Sequence, residues 1–173
     1  MLEWYMIRAT GTVAYLFLYL TVIVGLYSQV LKKRRQKIAI PLYLHEALSN
    51  WAFILVCGHL LFLLIDSYTS FKWIELLVPF STNYHPIPMA FGILGLYFFI
   101  FTMLTSKLRK KIGYQKWRKL HALNPILYIF VTLHGLFLGT DFQGIILTLI
   151  NVIPLLVMGI LMLKGKNNLN EAH

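Results

Sequence analysis

The sequence predicts an all-α integral membrane protein, a bundle of about five transmembrane helices with the N-terminus outside and the C-terminus in the cytoplasm. Three observations predict it. The 173 residues are 58% hydrophobic and only 13% charged, where a soluble domain carries roughly 25% charge. Several uncharged runs reach the ~20 residues that a helix needs to cross a hydrocarbon core. The lysines and arginines gather between those runs, as they do in the cytoplasmic loops of membrane proteins. The length suits one domain, residues 1–173, and no soluble fold of this length needs so much apolar sequence.

The elements follow in order. Residues 9–31 carry no charge and make the first span. Glu3 precedes this run, the run is too long for a secretory signal, and it ends in a basic cluster, so the span is expected to be retained. Lys32-Lys33-Arg34-Arg35-Gln36-Lys37 forms a basic loop. Pro41 suits the opening of a second helix, 42–65, which stops at Asp66. Residues 67–86 hold Lys72, Trp73, Glu75 and Tyr84 among scattered breakers, and read as an outer loop with a short interfacial helix around 71–78. The third span is 87–105. A second basic segment, 107–119, leads to the fourth span, 120–140, bounded by Lys119 and Asp141. A tight turn joins it to the fifth, 142–163, and a short polar tail ends the chain.

Charge sets the orientation. The first basic loop has five Lys and Arg, the second seven and the tail two, against Arg8 and Lys72 alone on the other side. The positive-inside rule puts both basic loops and the C-terminus in the cytoplasm. The net charge of +10 is therefore a topology signal, and with no nucleic-acid-binding motif beside it, nucleic acid is not an expected partner. The lone Cys57 lies in an apolar run and can form no intrachain disulfide. There is no GxGxxG and no P-loop, so flavin or nicotinamide chemistry must come from another chain.

Ionisable residues inside a membrane need a partner. Here there are four histidines, His45 and His59 on the second span and His121 and His134 on the fourth. These two spans run in the same direction, so depths compare directly. His59 lies seven residues before Asp66 and His134 seven before Asp141, which puts both ~10 Å below the outer boundary. His45 and His121 both lie near the inner ends, with a looser match. The 14 residues from His45 to His59 make ~21 Å of rise and return to within ~40° of the same face. The 13 residues from His121 to His134 make ~20 Å but fall ~140° out of phase in an ideal helix. Pro125 lies between them and predicts a distortion there.

Two facing helices, each with a histidine at matched depth, supply the two axial nitrogens of a low-spin haem. Two levels would stack two b-type haems along the membrane normal, with no open iron position, an arrangement for electron transfer. The alternative is a transporter or metal carrier using the histidines as Zn or Cu ligands, although such sites usually add carboxylates or thiolates. A third class is an assembly factor whose histidines only pack. Gly58, Gly92, Gly95 and Gly135 would admit a porphyrin face or serve close helix packing. Arg118, Lys119 and the 32–37 cluster offer inner cations for haem propionates, and Arg8 an outer one; head-group contact is the competing role.

The stretch Lys116-Trp117-Arg118-Lys119-Leu120-His121, followed by Tyr128 and His134, resembles the fourth-span signature of the ferric reductase-like transmembrane domain family. His45 and His59, with Trp51 between, resemble its other histidine helix. The resemblance covers about residues 40–140. It implies haem ligation by His45 with His121 and by His59 with His134, a cofactor-binding role for Arg118, and outward electron flow across the cytoplasmic membrane. It further implies an inner donor, a flavin reductase or quinol, so that flavin or quinone enters only through that donor. An outer acceptor or partner reductase completes the path. In form the chain is nearer the short haem-binding subunit of the bacterial methionine sulfoxide reductase system than the related NADPH oxidases, because it has no dehydrogenase domain and five spans, not six.

Some polar residues fall outside this scheme. His85, in an outer Asn83-Tyr84-His85-Pro86 turn, is a loop histidine that could meet an acceptor. Glu46 adjoins His45 without sharing its face and could take a quinol proton. Asn151 and Pro154 read as a kink or helix contact, and His173 as a terminal residue.

Overall fold

The computed structural model describes residues 2–33 and 42–139, with residues 144, 149, 151–153, 156 and 160 beyond them. It is helical, and no strand occurs among the described residues. The elements are α1 (Leu2–Lys33), α2 (Leu42–Ile65), α3 (Trp73–Leu77), α4 (Pro86–Lys107), α5 (Arg109–Ile112), α6 (Tyr114–His121) and α7 (Asn124–Leu138). Four helical stretches are long and apolar enough to cross a membrane: Leu2–Lys32, Tyr43–Ile65, Pro86–Lys107 and Tyr114–Leu138. They are four of the five expected spans, and the chain is a multi-pass membrane protein. The fifth span, 142–163, lies outside the described residues except for short helical pieces such as 151–153. Pro41, the basic residues 34–37, Asp141, Pro154, Lys164, Lys166 and His173 lie outside them as well.

α2 occupies the expected range, but two other boundaries move. α1 begins at Leu2 rather than residue 9. Glu3 in the first turn suits the positive end of the helix dipole, and Arg8 folds back over the Trp4 ring at 4.2 Å, one turn away. The charged residues thus extend the helix past the apolar run. The fourth span begins at Tyr114 and is broken: α6 ends at His121 and α7 starts at Asn124 with Pro125 in its first turn. The distortion predicted near Pro125 is this break, since proline suits a helix start and removes one interior bond.

α1 packs mainly on α2, and α4 on α7. Contacts at both ends make each pair antiparallel. His59 meets Ile7 and His45 meets Thr21 across α1/α2, while His134 meets Pro88 and Asn124 meets Thr102 across α4/α7. His59 and His134 line one cavity and the His45 and His121 rings meet, so α2 and α7 run parallel, with the first two histidines toward one end of the bundle and the others toward the other. The core between the levels is Tyr15, Leu18, Ala52, Phe99, Leu127 and Tyr128. Ala52 is fully buried, a small residue where helices meet. Trp51, Ile54 and Leu61 on α2 are exposed and face lipid in a membrane. At Gly95 an added Cβ would lie 2.7 Å from Val131 Cγ2, so glycine sets the approach of α4 to α7.

A polar knot crosses this core. Tyr15 Oη lies 2.7 Å from Tyr128 Oη and donates to Asn151 Oδ1 at 2.8 Å; Tyr128 Oη donates to the same oxygen at 3.0 Å. Asn151 is therefore a helix contact, one of the two roles expected of it. Such bonds between membrane helices contribute ~0.6 kcal/mol each. After α2 the chain turns at Asp66, whose carboxylate accepts the Thr69 backbone N–H at 2.8 Å and its hydroxyl at 2.7 Å. α3 follows within the expected 71–78 window, and Phe71, Leu76 and Met89 pack over the ends of α2 and α7.

Candidate functional site

Three of the four histidines make the same pair of contacts with a neighbouring helix. His59 Nδ1 lies 2.9 Å from the Ile7 carbonyl, His45 Nδ1 2.9 Å from that of Thr21, and His134 Nδ1 2.9 Å from that of Pro88. A carbonyl only accepts, so each Nδ1 carries the proton. In each case the residue four positions after the carbonyl is a glycine lying against the ring. An added Cβ would come within 3.0 Å of His59 Nδ1 at Gly11, 3.2 Å of His45 Cε1 at Gly25 and 2.6 Å of His134 Nδ1 at Gly92. Residues i and i+4 stack one turn apart. The glycine lets the imidazole approach the helix side and share a carbonyl already used within it. The result is a seat that fixes ring and tautomer together and leaves Nε2 with its lone pair, the state a metal-ligating histidine requires.

His59 and His134 both line a cavity of about 960 Å³, together with Gly11, Gly92, Gly95 and Gly135. This is at the upper end of the ~300–1,000 Å³ usual for small-molecule and cofactor sites. Arg8, Asp66 and Tyr84 also line it, toward the loop between α2 and α4. The lining is mostly glycine and apolar side chains, with the charged Glu3, Arg8 and Asp66 among its polar groups, and the glycines leave room for the flat apolar face of a macrocycle.

His45 and His121 are arranged differently. Their ring centroids lie 6.0 Å apart at 66°. Two imidazoles that held one metal ion at ~2 Å each would have centroids about this far apart, so the spacing fits a shared ion. Among the described residues His121 has no carbonyl–glycine seat. It sits at the end of α6 beside Trp117, ring centroids 5.1 Å apart, and Asn124 Nδ2 approaches its Nε2 at 3.3 Å. Trp117 is held in turn by Ser106 Oγ, which accepts its indole N–H at 3.2 Å, and by Arg109 over its ring.

Arg118 and Lys119 are exposed on α6, and Glu46 is exposed next to His45. His85 is exposed too, capping α4 in a left-handed conformation, φ 41°, against Tyr84. Cys57 is exposed on α2. Among the described residues no three or more His, Cys, Asp or Glu are grouped to hold a metal ion.

Gly11, Gly25 and Asn124 are the site residues that sequence reasoning missed. A signal existed for the glycines. Gly11 and Gly25 are 14 apart, as are His45 and His59 on the next helix, which is the register an antiparallel pair needs to seat both rings.

The family model for the ferric reductase like transmembrane component matches residues 10–132. The chain belongs to this family. No curated protein and no solved structure matches it. The matched stretch of this ferric reductase-like chain starts within α1, earlier than the resemblance around residue 40, and so takes in Gly11 and Gly25. It contains His45, His59 and His121 and ends two residues before His134. Membership makes the chain a membrane domain of an electron-transfer family whose members generally bind haem.

Proposed function

We propose that this chain holds two b-type haems, one between His59 and His134 and one between His45 and His121, and carries electrons across the cytoplasmic membrane. The observation that carries the reading is the repeated seat, in which Nδ1–H is given to a helix carbonyl over a glycine and Nε2 is left to ligate. Haem b held by these histidines would supply a one-electron carrier. The two levels stand ~20 Å apart along the helices, which divides the ~30 Å core into shorter hops.

The chain's own residues have defined tasks. The Ile7, Thr21 and Pro88 carbonyls orient the rings and make the imidazoles better donors. Phe99, Leu18 and Leu96 exclude water between the levels. Arg8 at the outer cavity and Arg118 at the inner end supply cations for propionates. With the basic segments inside, the His45 level faces an inner donor, a flavin reductase or quinol. The His59 level then faces an outer acceptor or partner reductase. The Zn or Cu alternative asks for three or more convergent donors, and the four intramembrane histidines come together in twos among the described residues.

Oxidised and reduced spectra of the protein purified from haem-replete cells, with a haem-to-protein ratio, test this. The expected result is a low-spin b-type spectrum at a ratio near two, falling by one in His59→Ala or His134→Ala and by one in His45→Ala or His121→Ala. No haem in the wild type, or a ratio unmoved by all four changes, would sink it.

A further inference from the structure

α3 and the turn after it are apolar and uncovered. Trp73, Ile74, Leu77, Val78 and Phe80 are exposed, while Phe71 and Leu76 beside them are buried and pack with Met89. The buried pair holds the segment on the bundle; the others point away from it. Phe80 has a left-handed backbone, φ 64°, a conformation unfavourable for a bulky residue, and its ring is 66% exposed. In water nothing offsets that conformation, whereas burying the ring in an apolar phase does.

Two observations say which phase. The first is position. Tyr97 Oη donates to the Leu77 carbonyl. Tyr97 lies eleven residues after Pro86, where α4 starts, or ~16 Å along the helix. A helical side chain leans toward the helix start, so Leu77 lies roughly 10 Å in from Pro86. An interfacial helix would stay at the surface, but this one descends along α4. From Tyr97 onward the same stripe of α4, Phe101 and Leu104, is exposed, and on a membrane helix such a stripe meets lipid. The second observation is hydrogen bonding. Where water is absent, backbone carbonyls need donors from the protein. The Leu77 carbonyl has the Tyr97 hydroxyl. Ser81 Oγ lies 2.9 Å from the Ile74 carbonyl and 2.7 Å from that of Val78, close enough for its proton to go to either. Glu75, the ionisable residue of this segment, turns its carboxylate back to accept the Lys72 backbone N–H at 2.9 Å. We propose that residues 73–81 form a hairpin inserted into the hydrocarbon of the leaflet on the His59 side, held at that depth by Tyr97. Its partner is lipid, met by Ile74, Val78 and Phe80, with Trp73 nearer the interface.

Spin-label accessibility tests this in the full-length protein, reconstituted into dioleoylphosphatidylcholine vesicles. Nitroxides go onto single cysteines in a Cys57→Ala background: Val78→Cys and Phe80→Cys in the hairpin, Leu61→Cys as the lipid-facing reference and Asn83→Cys as the aqueous one. Collision with oxygen reports hydrocarbon, and collision with a water-soluble nickel chelate reports water. The Val78 and Phe80 labels are expected to match Leu61, with an oxygen-to-nickel ratio several-fold above that at Asn83. Tyr97→Phe removes the hydroxyl and is expected to lower the ratio at Val78 while Leu61 keeps its own; an unchanged Val78 ratio overturns the hold by Tyr97. Nickel reaching Val78 and Phe80 as freely as Asn83 overturns insertion. Exclusion of both reagents overturns it too, since that marks a protein partner, such as a second copy of the chain. Phe80→Trp gives the same decision if a cysteine variant does not fold. Its added fluorescence should be quenched by lipid brominated on the acyl chains, and quenching by aqueous iodide instead overturns the proposal.

Discussion

The two histidine levels are built by different means. At the outer level both rings sit in the same rigid seat, around a cavity of about 960 Å³. At the inner level one ring has that seat, and the other hangs at a helix break with a tryptophan and an amide beside it. Main-chain seats cannot be mutated away, only blocked; side-chain supports can be removed one at a time. The outer level should therefore fail abruptly when its glycines are filled, and the inner level by degrees when its side chains are changed.

The largest expected effect is at Gly92. A Cβ there would lie 2.6 Å from His134 Nδ1, closer than real contacts allow, so Gly92→Leu should abolish incorporation of the outer haem and leave the inner one, a ratio near one by pyridine haemochrome assay. Gly92→Ala, Gly11→Ala and Gly25→Ala form a series set by their spacings of 2.6, 3.0 and 3.2 Å. Overpacking costs ~1–3 kcal/mol. The series should lower haem retention at the level each seat serves, steeply at Gly92 and only a few-fold at Gly25. Equal effects along the series would break the link between seat geometry and loading.

Trp117 comes next. Replacing it with Phe keeps the ring on His121 but removes the N–H that Ser106 accepts, a bond of ~1 kcal/mol. The inner haem should dissociate a few-fold faster in an apo-myoglobin transfer assay, with the outer rate unchanged. An outer rate that rises in parallel would mean the levels are mechanically one unit.

How much of this was legible in the sequence divides along the same line. The α2 boundaries, the four histidines and their two levels could be read because burial of a charge in lipid is costly and helical rise is fixed. The break after His121 was readable as a phase misfit of 13 residues with a proline inside it. The seats were not read, since a glycine shows its meaning only when the partner helix and its direction are known; Gly92 was noticed as small, while Gly11 and Gly25 looked like ordinary residues of an apolar run. Asn124 was invisible for another reason. Its place beside His121 depends on its hydrogen bond with Thr102 on a different helix, and no local pattern encodes that.

The smallest expected effect separates the levels by pH. Asp66 lines the outer cavity, and the Thr69 backbone N–H, with its hydroxyl, holds the carboxyl below its ordinary value of 3.8. A folded pKa below the unfolded one stabilises the turn at pH values above the unfolded pKa, and that stabilisation is lost as pH falls through the lower, folded value. Nothing should change between pH 7 and 5. Below about pH 4 the loop carrying Trp73 should loosen, seen as a change in tryptophan fluorescence and a small shift of the outer haem band alone. Asp66→Asn, which cannot ionise, should show the loosened signals at neutral pH with no further acid step in either. The inner band has no contact with this turn, so an inner shift with the same midpoint would show that acid acts on the whole bundle and not on the Asp66 turn.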